Sequence, residues 1–540
     1  MLKIYQKIEH FFLRIIEKLE NQKITLTAWL VSFFVVVFLR GLLEIYSSRA
    51  NLFRLELYPF SFFHFPAFFL LITLLIILVL HLSTKEKIEK VTKIALFAFL
   101  IALLPPIIDL VATGGQRGVA IQYWPPPKIL INIPNILQLF PETVFQNVQG
   151  ILFSGQTTAF VDPILYKFNY GLKVQWSVIF LGLIWYIFLK TRNILKVFMG
   201  LIFLYFIDFS FYIFSPVKAS GLYSSLNFFF QAHHIIFSSY LICICILASV
   251  WLYSFNKEKF ITFFKNIRPL RILHNVALLG LGLYLAKIPI FNPISLNFAD
   301  WMLVITAFIS VILLYFWEMG YDDLSDEKID KISNPSRPLA SGKFTRDEFK
   351  GLNNVFLITS LIASFAVGYS FFVFVLLRSM VSYLYISPPF RLKRFPVLAT
   401  FVRALAFLLT VYAGFLLLPT DTIFAFPIKL AIFILIVFTL GTTVKDIKDY
   451  QGDKAGGIYT IPVIFGPEKG KIIIGLLSLI AFILCPIFFS NYFKILISPA
   501  LLAGVLSFLI INKKDHGKKE AACLFLIYFS FGLFFILTCF

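Results

Sequence analysis

Two runs of aspartates carry the chemistry that this sequence offers. The first reads Asp322-Asp323-Leu324-Ser325-Asp326-Glu327-Lys328-Ile329-Asp330, and the second reads Lys445-Asp446-Ile447-Lys448-Asp449-Tyr450-Gln451-Gly452-Asp453. Asp323, Asp326 and Asp330 are spaced three and four apart, and so are Asp446, Asp449 and Asp453. On a helix that spacing puts each trio on one face. Like charges on one face repel, so six converging carboxylates call for cations. An all-oxygen donor set suits Mg²⁺, which takes few protein carboxylates and completes its shell with phosphate oxygens. One such run reads equally well as a solvated helix end. Two with the same spacing read as a cradle for a diphosphate, with the six aspartates as metal ligands and catalytic residues. Arg337, Lys343, Arg391, Lys393, Arg394 and Lys445 stand nearby to meet phosphate oxygens, Arg in bidentate fashion. Each of them also fits the simpler role of a positive loop residue that fixes membrane topology.

Apolar segments must position these residues. The chain has 540 residues, 59% of them hydrophobic and only 14% charged, with 67 Phe and a mean hydropathy of +0.87. A soluble chain of this length has no way to bury that much apolar surface. Repeated apolar runs of about 20 residues predict an all-α, polytopic integral membrane protein of about fifteen spans, six and then nine. The expected organisation is a six-span module over 1–255, a basic linker over 256–267 and a nine-span unit over 268–540. A formal net charge of +20 would suggest nucleic acid for a soluble protein. Here the basic residues fall between spans, so membrane lipids and not nucleic acid are the expected surroundings. Lys85 to Lys93, Lys190 to Lys196 and Lys257 to Arg271 follow the second, fourth and sixth spans, which predicts a cytoplasmic N-terminus. Continued alternation puts both aspartate runs on the cytoplasmic side and the C-terminus outside. Lys3 to Lys23 is a charged amphipathic segment expected to lie on the membrane surface. A long Pro-, Gln- and Asn-rich loop is expected over 114–173. The five Cys lie mostly within apolar runs and indicate neither a metal site nor a disulfide framework.

The second half of the chain resembles the UbiA-type intramembrane prenyltransferases. Asp322 to Asp330, followed by Asn334-Pro335-Ser336-Arg337-Pro338-Leu339-Ala340-Ser341-Gly342, is similar to that family's first motif, N-D-x-x-D-x-x-x-D with a trailing R-P-[LI]-x-S-G. Lys445-Asp446 to Gly452-Asp453 is similar to its second motif, K-D-x-x-D-x-x-G-D. Tyr385-Ile386-Ser387-Pro388-Pro389-Phe390-Arg391-Leu392-Lys393-Arg394 resembles the tyrosine and basic loop between them, and Arg268-Pro269 resembles the lead into the first span. Two departures stand out. Asp322 replaces the leading Asn, and Gly441-Thr442 replaces an Arg-Glu pair often found before the second motif. The resemblance implies a nine-helix bundle and an Mg²⁺-dependent transfer from a polyprenyl diphosphate donor to an aromatic or lipid acceptor, releasing diphosphate. It also implies that Tyr385 steadies the allylic cation or orients the acceptor, although Tyr385 also fits an interfacial belt tyrosine. Asp322, Arg337, Lys343, Arg378, Arg391, Lys393 and Lys445 are the expected substrate-binding residues.

Arg378 lies inside an apolar span, four residues before Ser382 and seven before Tyr385, so the three share a helix face. An intramembrane Arg faces a polar interior. It is expected to line the acceptor pocket, paired with an acidic acceptor group or with an intramembrane carboxylate such as Glu318. The alternative is a snorkelling or purely structural Arg. Arg403 carries the same two readings. Residues 1–255 match no motif. Their polar residues inside or near spans are Arg40, Glu44, Asp109, Asp208 and the adjacent His233 and His234. Arg40 and Glu44 fit an i,i+4 ion pair. Rival readings of the whole are a lipid-binding or transport protein with a non-catalytic second half, and a phosphoribosyl transferase acting on polyprenyl phosphate.

Overall fold

The computed structural model describes residues 2–47, 65–112, 170–213, 226–287, 298–417, 423–513 and 518–540. Every regular element among them is a helix. Among the described residues twelve helices are long and apolar enough to cross a membrane, or thirteen if Ile428–Val444 and Asp446–Ala455, bent by 70°, count as one span. Two further apolar helices, Ser177–Thr191 and Ile194–Leu204, are shorter. The loop expected over 114–173 lies almost wholly outside the described residues. So do the side chains of Glu44, Asp208, His233, His234 and Lys445.

The chain divides into two compact units, Met1–Lys257 and Glu258–Phe540. The first contains α1 (Leu2–Glu20), α2 (Leu26–Ser47), α3 (Phe65–Thr84), α4 (Ile88–Phe99), α5 (Leu104–Ala112), α6 (Tyr170–Thr191), α7 (Ile194–Ile213) and α8 (Leu226–Phe255). Its core gathers Trp29, Phe33, Ile77, Val91 and Ile187. Buried Glu20, at the end of α1, accepts a hydrogen bond from Tyr186 (3.1 Å) and pairs with Lys190 (2.7 Å), which pins α1 to α6. Arg40 is buried as well. It donates to the Ala102 carbonyl (3.0 Å) and to Gln175 (2.9 Å), and its guanidinium lies 4.9 Å from the centre of the Phe69 ring. The carboxylate of Asp109 accepts the Gly171 N–H at 2.8 Å. These polar residues hold helices together.

The second unit contains α9 (Lys257–Lys265), α10 (Pro269–Lys287), α11 (Phe298–Ser325), α12 (Glu327–Ser333), α13 (Arg346–Val367), α14 (Tyr369–Ile386), α15 (Pro396–Phe415), α16 (Ile428–Gly441), α17 (Asp446–Ala455), α18 (Ile461–Phe465), α19 (Pro467–Phe488), α20 (Phe493–Ile511) and α21 (Lys518–Cys539). Apolar burial alone does not join helices in lipid, so close packing and interhelical hydrogen bonds decide which helices meet. Between α11 and α13, Ser310 donates to the Ser360 carbonyl at 2.9 Å and Ser360 donates back to the Ser310 carbonyl at 2.8 Å. Between α10 and α15 the backbones themselves touch. A Cβ at Gly282 would stand 1.9 Å from the Val411 carbonyl oxygen, and one at Gly414 would stand 2.1 Å from that of Leu279. At α13 the N-terminus is closed by a capping box of Thr345 and Glu348.

The α10–α15 contact makes a prediction. Gly414→Ala forces a methyl into backbone and should destabilise the unit by about 1–3 kcal/mol. Gly280→Ala on the same helix pair meets nothing within 4 Å and should leave stability unchanged or slightly raised. Thermal unfolding of the solubilised protein compares the two.

Candidate active site

The two aspartate runs come together at one end of the second unit. The first run does not lie on one uninterrupted helix face, contrary to the spacing argument. Asp322 and Asp323 end α11, Asp326 sits at the break with φ −109° and ψ 17°, and Asp330 lies on α12. The hydrogen bonds carry on through the break, from Asp326 N–H to the Asp322 carbonyl and from Asp330 N–H to the Asp326 carbonyl. The break is therefore a kink that turns Asp330 relative to Asp322. Crowded like charges within one helical turn disfavour a straight continuation. The second run is one short helix, α17, with Asp446, Asp449 and Asp453 at helical spacing just after the 70° bend. Helices α12 and α17 pack together closely, for a Cβ on Gly456 would stand 2.4 Å from Ile329 Cδ1. The Tyr459 N–H, just after the second run, donates to the Arg394 carbonyl at 3.3 Å, so the basic loop joins the same end.

Basic side chains thread through the first run. Lys393 is buried and donates to Asp322 (2.8 Å) and Asp326 (2.7 Å), while Arg391 donates to Asp326 (2.8 Å). Arg337 bonds Asp330 and reaches Asp323 at 3.1 Å. Arg268 reaches Asp323 at 3.3 Å. Burial pushes the Asp330 carboxyl up to about 6, with Arg337 pulling in the opposite direction. Burial works against the charge of Lys393, yet Asp322 and Asp326 outweigh it and hold its ammonium above the usual lysine range. Lys343 is not brought into this cluster. It points outward to Glu258, 3.2 Å away.

Beneath the cluster lies a cavity of ≈ 350 Å³ bounded by α10, α11, α14, α15, α16 and α21. Arg378, buried on α14, crosses its floor. It donates through Nε and Nη2 to the two carboxylate oxygens of Glu318 (3.1 and 2.9 Å), through Nη1 to Thr410 (2.8 Å) and through Nη2 to Asn275 (2.8 Å). Ser382 adds a bond to Glu318 at 2.7 Å. Four of the five guanidinium N–H groups are thus engaged within the protein. Tyr385 also lines the cavity, and its hydroxyl accepts from Arg403 at 2.8 Å. A second cavity of ≈ 440 Å³, lined by Leu278, Leu281, Phe433, Phe438 and other apolar side chains, shares His274, Phe438, Phe525 and Tyr528 with the first. The motifs do not contain Asn275, His274 and Thr410. Their signal was a polar residue inside an apolar span.

The donor set for a cation is all carboxylate, which suits a hard ion. Among the described residues no three acidic, His or Cys side chains are already gathered as a metal-holding group. The first run is instead neutralised by guanidinium and ammonium groups, the same groups that bind phosphate well. The donor chemistry fits a diphosphate held with a hard cation, and α12, which carries Asp330, touches α17, which carries Asp446, Asp449 and Asp453.

Fold and site together define a polytopic helical membrane enzyme with paired acidic motifs over an internal chamber. Residues 277–535 match the model of the UbiA prenyltransferase family, and the second unit belongs to that family. Digeranylgeranylglyceryl phosphate synthase of Methanobrevibacter smithii is 29% identical over 208 residues, which are 36% of this chain and 71% of that protein. Naringenin 8-dimethylallyltransferase 2 of Sophora flavescens is 28% identical over 38% of this chain and 53% of its own length. Among solved structures, a UbiA homolog from Archaeoglobus fulgidus bound to GPP and Mg²⁺ is 23% identical, with a TM-score of 0.41, over 51% of this chain and 97% of that one.

The floor of the cavity generates a test. Arg378→Ala leaves Glu318 without its guanidinium, and because Glu318 keeps some access to the cavity the expected cost is near the low end for a broken buried pair, about 3 kcal/mol. Arg378→Lys keeps the charge but loses the fork and should fall between. Thermal unfolding of the two variants reads this order.

Proposed function

We propose that the second unit transfers a prenyl group from a polyprenyl diphosphate to an acceptor held in the ≈ 350 Å³ cavity, in an Mg²⁺-dependent reaction that releases diphosphate. The observation that carries this reading is the convergence of two aspartate runs above a chamber that passes from charged to apolar walls. Six aspartates, Asp323, Asp326, Asp330, Asp446, Asp449 and Asp453, would hold the cation. Bound there, Mg²⁺ supplies charge stabilisation for the departing diphosphate. Arg337, Arg391 and Lys393 stand at these carboxylates and would meet the phosphate oxygens of a diphosphate held there. Lys445 precedes the second run and belongs to the same proposed set, whereas Lys343, at the protein surface, does not. The rings of Phe407, Phe438 and Phe525 keep water from the allylic carbon, and the apolar second cavity takes the prenyl chain. Tyr385, held by the hydrogen bond from Arg403 and with that guanidinium over one face of its ring, would steady the allylic cation or orient the acceptor. The acceptor, an aromatic carbon or a hydroxyl, gives up one proton as the new bond forms. The first unit, Met1–Lys257, contributes none of the residues this reading uses. The loop charges support a cytoplasmic face for both aspartate runs in this reading.

Membranes carrying the protein, Mg²⁺ and a labelled polyprenyl diphosphate should release diphosphate. Asp323→Ala and Asp446→Ala should each lower that release by at least about a hundredfold, as should chelation of the metal. A protein that binds lipid but releases no diphosphate with any acceptor would favour the binding reading over the enzyme. Asp322→Asn should behave differently, since an amide oxygen still accepts from Lys393. Its rate should stay within about tenfold of the parent, a change of 1.4 kcal/mol in barrier.

A further inference from the structure

In the first unit, the acidic side chains of α1 are mostly engaged and its basic ones are not. Buried Glu20 meets Lys190 at 2.7 Å and Lys90 at 3.6 Å, and Glu9 pairs with Arg192. Lys7, Arg14 and Lys18 are exposed, and among the described residues they form no ion pair with a carboxylate. Glu9 and Glu20 stand about 16 Å apart along α1, yet their partners on α6 fall within its last turns. Phe12 packs there too, with its ring centre 5.9 Å from that of Trp185. The end of α1 also meets the start of α4, where Lys93 donates to the Glu20 carbonyl at 3.3 Å. Helix α1 therefore crosses the end of α6 instead of running along it.

Around α1 the sides are sorted by chemistry. Phe12, Ile16 and Glu20, four apart, turn toward the bundle. Beside them stand Phe11, 61% exposed, and Ile15. Lys7, Arg14 and Lys18 follow, seven and four apart, and the exposed polar side chains of Gln6, His10 and Glu17 complete the circle. The basic strip thus lies between an apolar strip and a polar one. A helix lying in a membrane interface has that order, with its apolar side in the acyl boundary, its cations at headgroup depth and its polar side in water. We propose that α1 docks on anionic phospholipid headgroups, with Lys7, Arg14 and Lys18 meeting lipid phosphate while Phe11 and Ile15 enter the acyl boundary. Charge complementarity selects anionic over zwitterionic lipid. Glu9 and Glu20 are neutralised against the bundle, and Glu17 stands on the polar side, so the lipid-facing edge of α1 carries positive charge alone. The sequence places the Lys3–Lys23 segment on a membrane surface, and the structure adds which edge meets it and which headgroup charge that edge fits. No residue of the transfer reading takes part.

The test uses the full chain in bilayers of equal phosphatidylcholine and phosphatidylglycerol, with bromine on the acyl chains of one lipid or the other. Phe11→Trp puts a reporter on the apolar strip, read as the emission added to that of the parent. Each cation near an anionic surface favours it by up to about fivefold, so brominated phosphatidylglycerol should quench the added emission at least about threefold more than brominated phosphatidylcholine. Lys7→Gln, Arg14→Gln and Lys18→Gln together should bring that ratio to about one, with thermal unfolding unchanged because all three side chains are exposed and unpaired. Salt at about 1 M, where the screening length falls to about 3 Å, should lower the ratio in the chain that keeps its three cations. Equal quenching by the two lipids in that chain overturns the proposal without any charge variant. Absence of quenching by either lipid overturns it too, since a second copy of the chain or another protein then covers the strip. A preference that survives the triple substitution overturns the assignment to these three cations.

Discussion

The second unit is arranged around the repulsion among aspartates at the end of an apolar bundle. Asp322, Asp323, Asp326 and Asp330 lie within three helical turns, and little bulk water reaches Asp323 or Asp330 to screen them. Their mutual repulsion is met by cations drawn from three separate places in the chain. Arg268 comes from the entry to α10, Arg337 from the segment after α12, and Arg391 and Lys393 from the loop between α14 and α15. The cluster therefore ties three loops to one helix end. A cation that replaced those side chains on the carboxylates would free all three loops at once.

Much of this could be read from residue types. Aspartate spacing identified both runs, and apolar run length located the spans that now appear as helices. The kink at Asp326 was not legible, because a regular three-four spacing carries no mark of where the backbone departs from helical torsion. Lys343 shows another limit. It follows Arg337 by six residues, yet Arg337 folds back on Asp330 while Lys343 turns out to Glu258. Sequence distance along a loop says nothing about direction. Arg378 was legible as an intramembrane cation with Glu318 as a possible partner, but Asn275 and Thr410 were not. Those two come from α10 and α15, whose touching backbones at Gly282 and Gly414 set the register. A polar residue in an apolar span signals an interior position. Only the helix pairing says which other polar residue it meets.

The floor made by Arg378 and Glu318 divides the interior by chemistry. Toward the aspartates the walls carry guanidiniums and carboxylates, and away from them the walls are Leu, Ile and Phe. A buried ion pair adds little net stability when compared with apolar residues of the same shape. Its effect here is geometric. The bidentate fork, with Thr410, Asn275 and Ser382 around it, fixes α10, α11, α14 and α15 at one level of the bundle. With Arg378 committed to that frame, it is not the open cation of the chamber.

That commitment explains why Arg271 and Arg403 matter more than their loop-like positions suggest. A guanidinium near a helix start ordinarily belongs to the solvated rim, where its charge is screened and its partner is immaterial. Arg403 instead lies against the ring of Tyr385, 4.8 Å from its centroid, and both arginines face an internal space. Tyr385 accepts from Arg403, so the position of the ring and the position of the charge are one constraint. The apolar ≈ 440 Å³ cavity continues beyond His274, Phe438, Phe525 and Tyr528, which both cavities share.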